Sequence, residues 1–134
     1  MSAQFSNQWP RIGRFLQDDN STGWVDDDYL TFSYFEDRLA PAERAAAYEE
    51  WADFYEWRLQ RSAESSTDRV RRHLMAEWTD SMAYSCRRSA AFARGDNPGP
   101  WVPLPTRRPD LAAEKLAIVT EIVAALDSPL AMTG

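Results

Sequence analysis

The sequence predicts an all-α protein, an irregular bundle of three to five helices built on a long helical hairpin. Three observations carry this. Residues 42–94 contain neither glycine nor proline, the two residues that most often punctuate local structure. Apolar residues through that stretch recur at spacings of three and four, the period of a helix, rather than alternating as in a strand. Five of the eight prolines fall together in residues 95–109, which reads as one stiff connection between helical segments. The chain has 134 residues, 44% of them hydrophobic. That suffices for one domain with a real core, so residues 1–134 are read as a single helical domain whose ends, 1–8 and 128–134, fray.

Residues 1–16 begin polar and then offer Trp9, Ile12, Phe15 and Leu16. This spacing fits a short helix or a docked arm with Pro10 near its first turn. The arm is expected to anchor structurally.

Residues 17–28 are rich in Asp, Asn, Ser and Thr around Gly23. Counted from Asp18, they place Asp18, Asn20, Thr22 and Asp26 at positions 1, 3, 5 and 9 of a loop, with Gly23 at 6 and Val25 at 8. The run resembles an EF-hand calcium loop, whose oxygen ligands, turn glycine and packed apolar residue occupy those positions. It departs from that pattern at position 12, where Tyr29 replaces the bidentate Glu. A polar turn in which Asp26 or Asp27 caps the next helix is the competing reading. Calcium is therefore kept as a weak candidate function, and no metal or other cofactor is assigned.

Residues 28–39 place Tyr29, Phe32, Phe35 and Leu39 at helical spacing. They are read as a helix, because a lone strand in an all-α chain would have no partner.

The hairpin follows as residues 41–61 and 67–94. Pro41 suits a first helical position, where its missing N–H is not needed. Ala47, Tyr48, Trp51, Phe54, Tyr55 and Leu59 share one broad face, with Glu49, Asp53, Glu56 and Gln60 opposite. The capping run Ser65–Asp68 marks the joint between the two arms. Val70, Leu74, Met75, Trp78, Met82, Cys86, Phe92 and Ala93 then share one side of the second arm, and Gly95 is placed to end it. The aromatic face of the first arm is expected to pack on this Leu/Met/Trp face, with Trp51 and Trp78 both in the core. Ala76, Ala83 and Ala90 recur at intervals of seven, and small residues of that kind let another helix approach closely.

Residues 110–127 form the last helix. Leu111, Leu116, Ile118, Val119, Ile122, Val123 and Leu126 wrap more than half its circumference. So wide an apolar face is expected either at the centre of the fold or partly against a second subunit.

The charge is uneven. Residues 1–68 hold six basic and fourteen acidic groups, residues 69–108 eight and three, and residues 109–134 one and four, giving −6 overall. This pattern argues for charge-complementary packing within the fold or with a partner. It argues against a general nucleic-acid binder, which is normally basic overall. Fourteen of the fifteen basic residues are Arg, whose forked donors suit carboxylates and phosphates.

The chemistry on offer is narrow. His73 is the only histidine and Cys86 the only cysteine, so a Ser-His-Asp triad would depend on His73 alone. The usual His/Cys zinc sites and an intrachain disulfide are excluded. The carboxylates of the first arm share one helix face, and no glycine-rich phosphate loop is present. No signal-peptide pattern and no apolar run of membrane-spanning length is found. A cytoplasmic, non-enzymatic interaction or accessory protein is the expected function, acting on another protein or by self-association as a homodimer. The first alternative is a nucleic-acid-associated regulator using an arginine arc of Arg69, Arg72, Arg87 and Arg94. Trp57 is the remaining candidate contact residue. It lies off the apolar face beside charge, where partner contact, stacking on Arg61, or cover by the N-terminal arm or the loop around Trp101 would each account for it.

Overall fold

The computed structural model describes residues 8–16, 25–65 and 68–127. Among these the regular structure is entirely helical, with five α-helices and no strand. They are α1 (Val25–Ser33), α2 (Pro41–Ser65), α3 (Arg69–Ala93), α4 (Leu104–Arg107) and α5 (Pro109–Asp127), with short 3₁₀ turns at Gly13–Phe15 and Glu36–Arg38. Most of both ends expected to fray, and most of the calcium-like loop, lie outside the described residues.

The hairpin is present. α2 and α3 are 25 residues each, about 37 Å long at ~1.5 Å per residue. α2 ends at Ser65 and α3 begins at Arg69, where Asp68 caps α3 by accepting a hydrogen bond from the Arg71 N–H at 3.1 Å. At the far end Gly95 adopts φ +85°. The Gly95 N–H bonds to the Phe92 carbonyl and the Asp96 N–H to the Ala91 carbonyl. This pair of bonds is the Schellman ending, which needs the left-handed backbone glycine supplies.

The core is aromatic and lies on one side of α2. Trp51 and Phe54 are fully buried there, with Tyr48 and Tyr55 close behind. The N-terminal arm and α1 cover them. Trp9 meets Phe54 edge-on at 5.5 Å, Tyr29 meets Trp51 at 5.3 Å and Phe32 meets Tyr48 at 5.5 Å, spacings at which aromatic pairs attract beyond simple burial. The arm docks through Glu50, whose carboxylate accepts from the backbone N–H of Arg11 and of Ile12 and from the Arg11 guanidinium. Hydrogen bonding to Glu50 raises the Arg11 guanidinium pKa. The helix expected over residues 28–39 ends early, at Ser33, and its remainder turns through Glu36–Arg38 to bring Leu39 back against the core.

The second arm packs differently from expectation. Val70, Leu74, Trp78 and Phe92, assigned to the core by their shared helical face, are exposed, Trp78 to 38% and Leu74 to 57%. The buried residues of α3 are His73, Thr79, Ala83, Cys86 and Ala90. Two of the alanines at intervals of seven, Ala83 and Ala90, therefore line the hairpin seam. On α2, Ala45 and Ala52 are buried one helical turn either side of Glu49, whose carboxylate reaches Arg87 and Arg94. Two long helices with small residues at the contact can approach closely, and large side chains on that line would hold them apart. The aromatic face of α2 is occupied by the arm and α1, so α3 takes the neighbouring side.

α5 is not central. Leu111 and Ile118 are its only buried residues, and it contacts α3 far less extensively than α2 does.

Candidate functional site

The connection between α3 and α5 determines where α5 lies. Asp80 accepts from both Arg107 and Arg108, and the Arg107 guanidinium sits 3.8 Å from the centre of the Tyr84 ring. Tyr84 Oη accepts from the Val102 N–H, while Arg88 donates to the carbonyls of Gly99 and Pro100. Trp101 packs edge-on to Tyr84 at 4.6 Å, yet stays half exposed. Arg108 also grips Asp110 and holds its carboxyl down at about 2, favouring a negative charge in the first turn of α5.

From this anchor α5 runs antiparallel to α3. Glu114 Oε1 lies 2.5 Å from His73 Nδ1, Lys115 Nζ 4.0 Å from Glu77, and Glu121 accepts two hydrogen bonds from Arg69 at 2.9 and 2.8 Å. The seam residues of α5 are thus Leu111, Glu114, Ile118 and Glu121, in steps of three, four and three. His73 is buried in this seam with its Nε2 3.4 Å from Glu77 Oε1. The Glu77 contact is the i,i+4 pair that the sequence contains. The Glu114 contact spans 41 residues and has no local signal.

In an antiparallel pair of right-handed helices, the residue following each seam position points to the same flank. On α3 these residues are Val70 and Leu74, on α5 Ala112, Lys115, Val119 and Ile122; the valines, Leu74 and Ile122 are exposed apolar side chains and Lys115 is an exposed cation. Trp78 continues the flank along α3. Leu116, Val123 and Leu126 continue it around α5, with Leu116 exposed to 68% and Leu126 to 65%. The result is a largely apolar face spanning two helices, interrupted by Lys115 on α5 and Arg71 on α3. Monomeric soluble proteins rarely expose contiguous apolar patches beyond a few hundred Å². This face is the candidate site.

The other residues singled out from sequence are not brought together here. Arg87 donates to Glu49, Asp53 and Glu56 on α2. Its burial works against its charge, but the bonds from Glu56 and Asp53 outweigh this and raise its pKa. Arg94 pairs with Glu49 and Asp96, and Arg69 with Glu121. Arg72 is exposed and also engaged. Arg69, Arg87 and Arg94 are therefore divided between α2 and α5, and their ion pairs are with the chain's own carboxylates. Trp57 is half-buried. It packs against Trp9 at 6.1 Å and Phe54 at 5.8 Å and lies under the Arg61 guanidinium at 4.8 Å, so its observed neighbours are the arm and its own helix. Asp18, Asn20 and Thr22, and the Asp26 side chain, lie outside the described residues. Tyr29, at position 12 of that loop, is partly buried and packs against the core cluster that includes Cys86. Burial raises the Tyr29 hydroxyl above its ordinary range and pushes the Cys86 thiol up to about 12.

Sequence reasoning missed Val70, Leu74 and Trp78 as surface residues because their helical spacing puts them on one broad apolar side with Met82 and Cys86, and that whole side reads as inward-facing. The signal that could have found them is the alanine repeat, which marks a different side of α3 for close packing. Among the described residues no helix is long and apolar enough to cross a membrane. The chain matches no family model, no curated protein and no solved structure.

Proposed function

We propose that this is a non-catalytic helical interaction protein whose working surface is the apolar face of α5 and the N-terminal half of α3. The observation that carries this is the run Leu116, Val119, Ile122, Val123 and Leu126, exposed on a helix docked by a single seam. Leaving such side chains in water costs about 1.5–3 kcal/mol each relative to burial, so a partner that covers them gains most of its affinity there. The ionisable groups support the same reading. His73, Asp80, Glu49 and Arg87 each hold partners within the fold, which leaves them poorly placed to turn over a substrate. The pairing of Arg69, Arg87 and Arg94 with carboxylates favours protein contact over phosphate contact. A cytoplasmic setting goes with the proposal, since a lone buried thiol draws nothing from an oxidising compartment.

The test is co-purification from the cell of origin, followed by binding between purified components. The wild-type chain should bind its companion, a second copy or another protein, at least tenfold more tightly than Val119→Glu/Val123→Glu does. Circular dichroism should show that variant to be folded. The proposal fails if the variant binds every companion as well as the wild type does.

A further inference from the structure

The outward stripe of α5 has an internal symmetry. Its residues are Leu116, Val119, Val123 and Leu126, in steps of three, four and three, so the stripe reads Leu-Val-Val-Leu in either direction. Steps of three and four are the spacing at which helices interlock knobs into holes. A twofold axis at the level of Glu121 would set Leu116 of one copy opposite Leu126 of the other, and Val119 opposite Val123. That matches an isologous interface, in which residue i meets j while j meets i. Glu121 is not caught in the contact, because it turns inward to Arg69. The four stripe positions are themselves uncharged, and the adjoining Lys115 is exposed to 63% along its side chain, so its ammonium can stay in water when the stripe closes.

We infer that the occupant of this face is a second copy of the chain, docked α5 to α5 in antiparallel fashion about that axis. The inference rests on the reading of this face as the working surface and names its partner. The area agrees. With the flanking Val70, Leu74, Trp78 and Ile122, the exposed apolar side chains amount to on the order of 700 Å² per copy, against ~800 Å² per partner in a standard stable interface. Ile122 and the α3 residues lie on one flank of α5, so the second copy's α5 settles beside α3 as well as on α5.

Sedimentation equilibrium of the purified chain across micromolar concentrations should show a dimer that dissociates on dilution. Leu116→Glu/Val123→Glu should be monomeric with an unchanged far-ultraviolet spectrum and cooperative melting, because neither residue is buried in the single chain. A disulfide test fixes the direction. A Val119→Cys chain mixed with a Val123→Cys chain should cross-link to each other in preference to either with itself. A wild-type chain that is monomeric throughout overturns the inference, while capture of a different protein on the same face would leave the proposed function standing. Preferential self-cross-linking of Val119→Cys overturns the antiparallel arrangement.

Discussion

In α2 the large side chains Tyr48, Trp51, Phe54 and Tyr55 are buried, whereas in α5 Leu116, Val119, Ile122, Val123 and Leu126 stand in solvent. Both helices are amphipathic enough to demand cover, and the difference is in what the rest of the chain supplies. α2 has neighbours on two sides. The N-terminal arm and α1 lie over its aromatic face, and the small-residue line of α3 lies beside that face. Apart from the adjoining short helix α4, α5 meets only α3 extensively, and it does so through a seam that is half polar, with His73–Glu114 and Arg69–Glu121 alternating with Leu111 and Ile118. Apolar periodicity alone shows that a face needs covering. Whether the cover comes from the same chain depends on how many elements remain to provide it.

The largest effect should separate the two tryptophans that looked alike in sequence. Trp51→Ala, at a fully buried site, should cost about 3–5 kcal/mol in urea unfolding, the usual range for a buried large aromatic. Trp78→Ala, measured on the monomeric Leu116→Glu/Val123→Glu background, should cost distinctly less, about 1–2 kcal/mol, because 38% of Trp78 is already exposed. Equal losses at both sites would break the comparison, because α3 would then have buried its large face after all.

A second measurement sharpens the view of α5 as lightly held. Glu114→Ala leaves the buried Nδ1 of His73 unpaired, which should cost about 1–3 kcal/mol. Hydrogen exchange should accelerate across α5 and remain slow at Trp51 and Phe54, since local stability follows local packing. Uniform acceleration in both helices would mean that they fold as one cooperative unit.

The core side can be tested by pH. Tyr29 and Cys86 both hold their protons more tightly folded than their ordinary values of 10.0 and 9.0. For both groups the folded state binds more protons above pH ~9, so stability is fully present below that and falls as pH rises toward 12. The unfolding midpoint should therefore drop between pH 8.5 and 10.5 (approximate limits set by those ordinary values), and Tyr29→Phe should flatten the drop. A midpoint that stays level in the wild type would remove Tyr29 and Cys86 from the buried cluster.

The smallest effect concerns the arginines. Arg87→Gln should lower stability by under ~1 kcal/mol, because its pairs with α2 are partly exposed and solvent screens them. Nucleic acid at physiological salt should not bind, given the acidic field around these residues. A gel shift abolished by Arg72→Glu with Arg87→Glu would give the arginines a role beyond pairing with α2.

Much of the fold follows from local chemistry that can be read along the chain. Pro41 starts α2, Asp68 caps α3, Gly95 ends it, and the proline cluster keeps residues 95–103 out of regular structure; each acts within a few residues of itself. The aromatic face of α2 was equally legible, because its large side chains gather on one side and its carboxylates on the other. The orientation of α3 was not. A helical period fixes the angles of side chains around their own axis but not the direction in which the neighbours lie. α3 carries two apolar stripes, one of small residues through Ala83 and Ala90 and one of large residues through Leu74 and Trp78, and either could have turned inward. Contacts distant in sequence decided it: the arm and α1 took the aromatic face of α2, Glu49 and Glu56 drew Arg87, and the close approach of two long helices admitted only the small stripe. The same choice left the large stripe beside α5, and so created a face that neither helix presents alone.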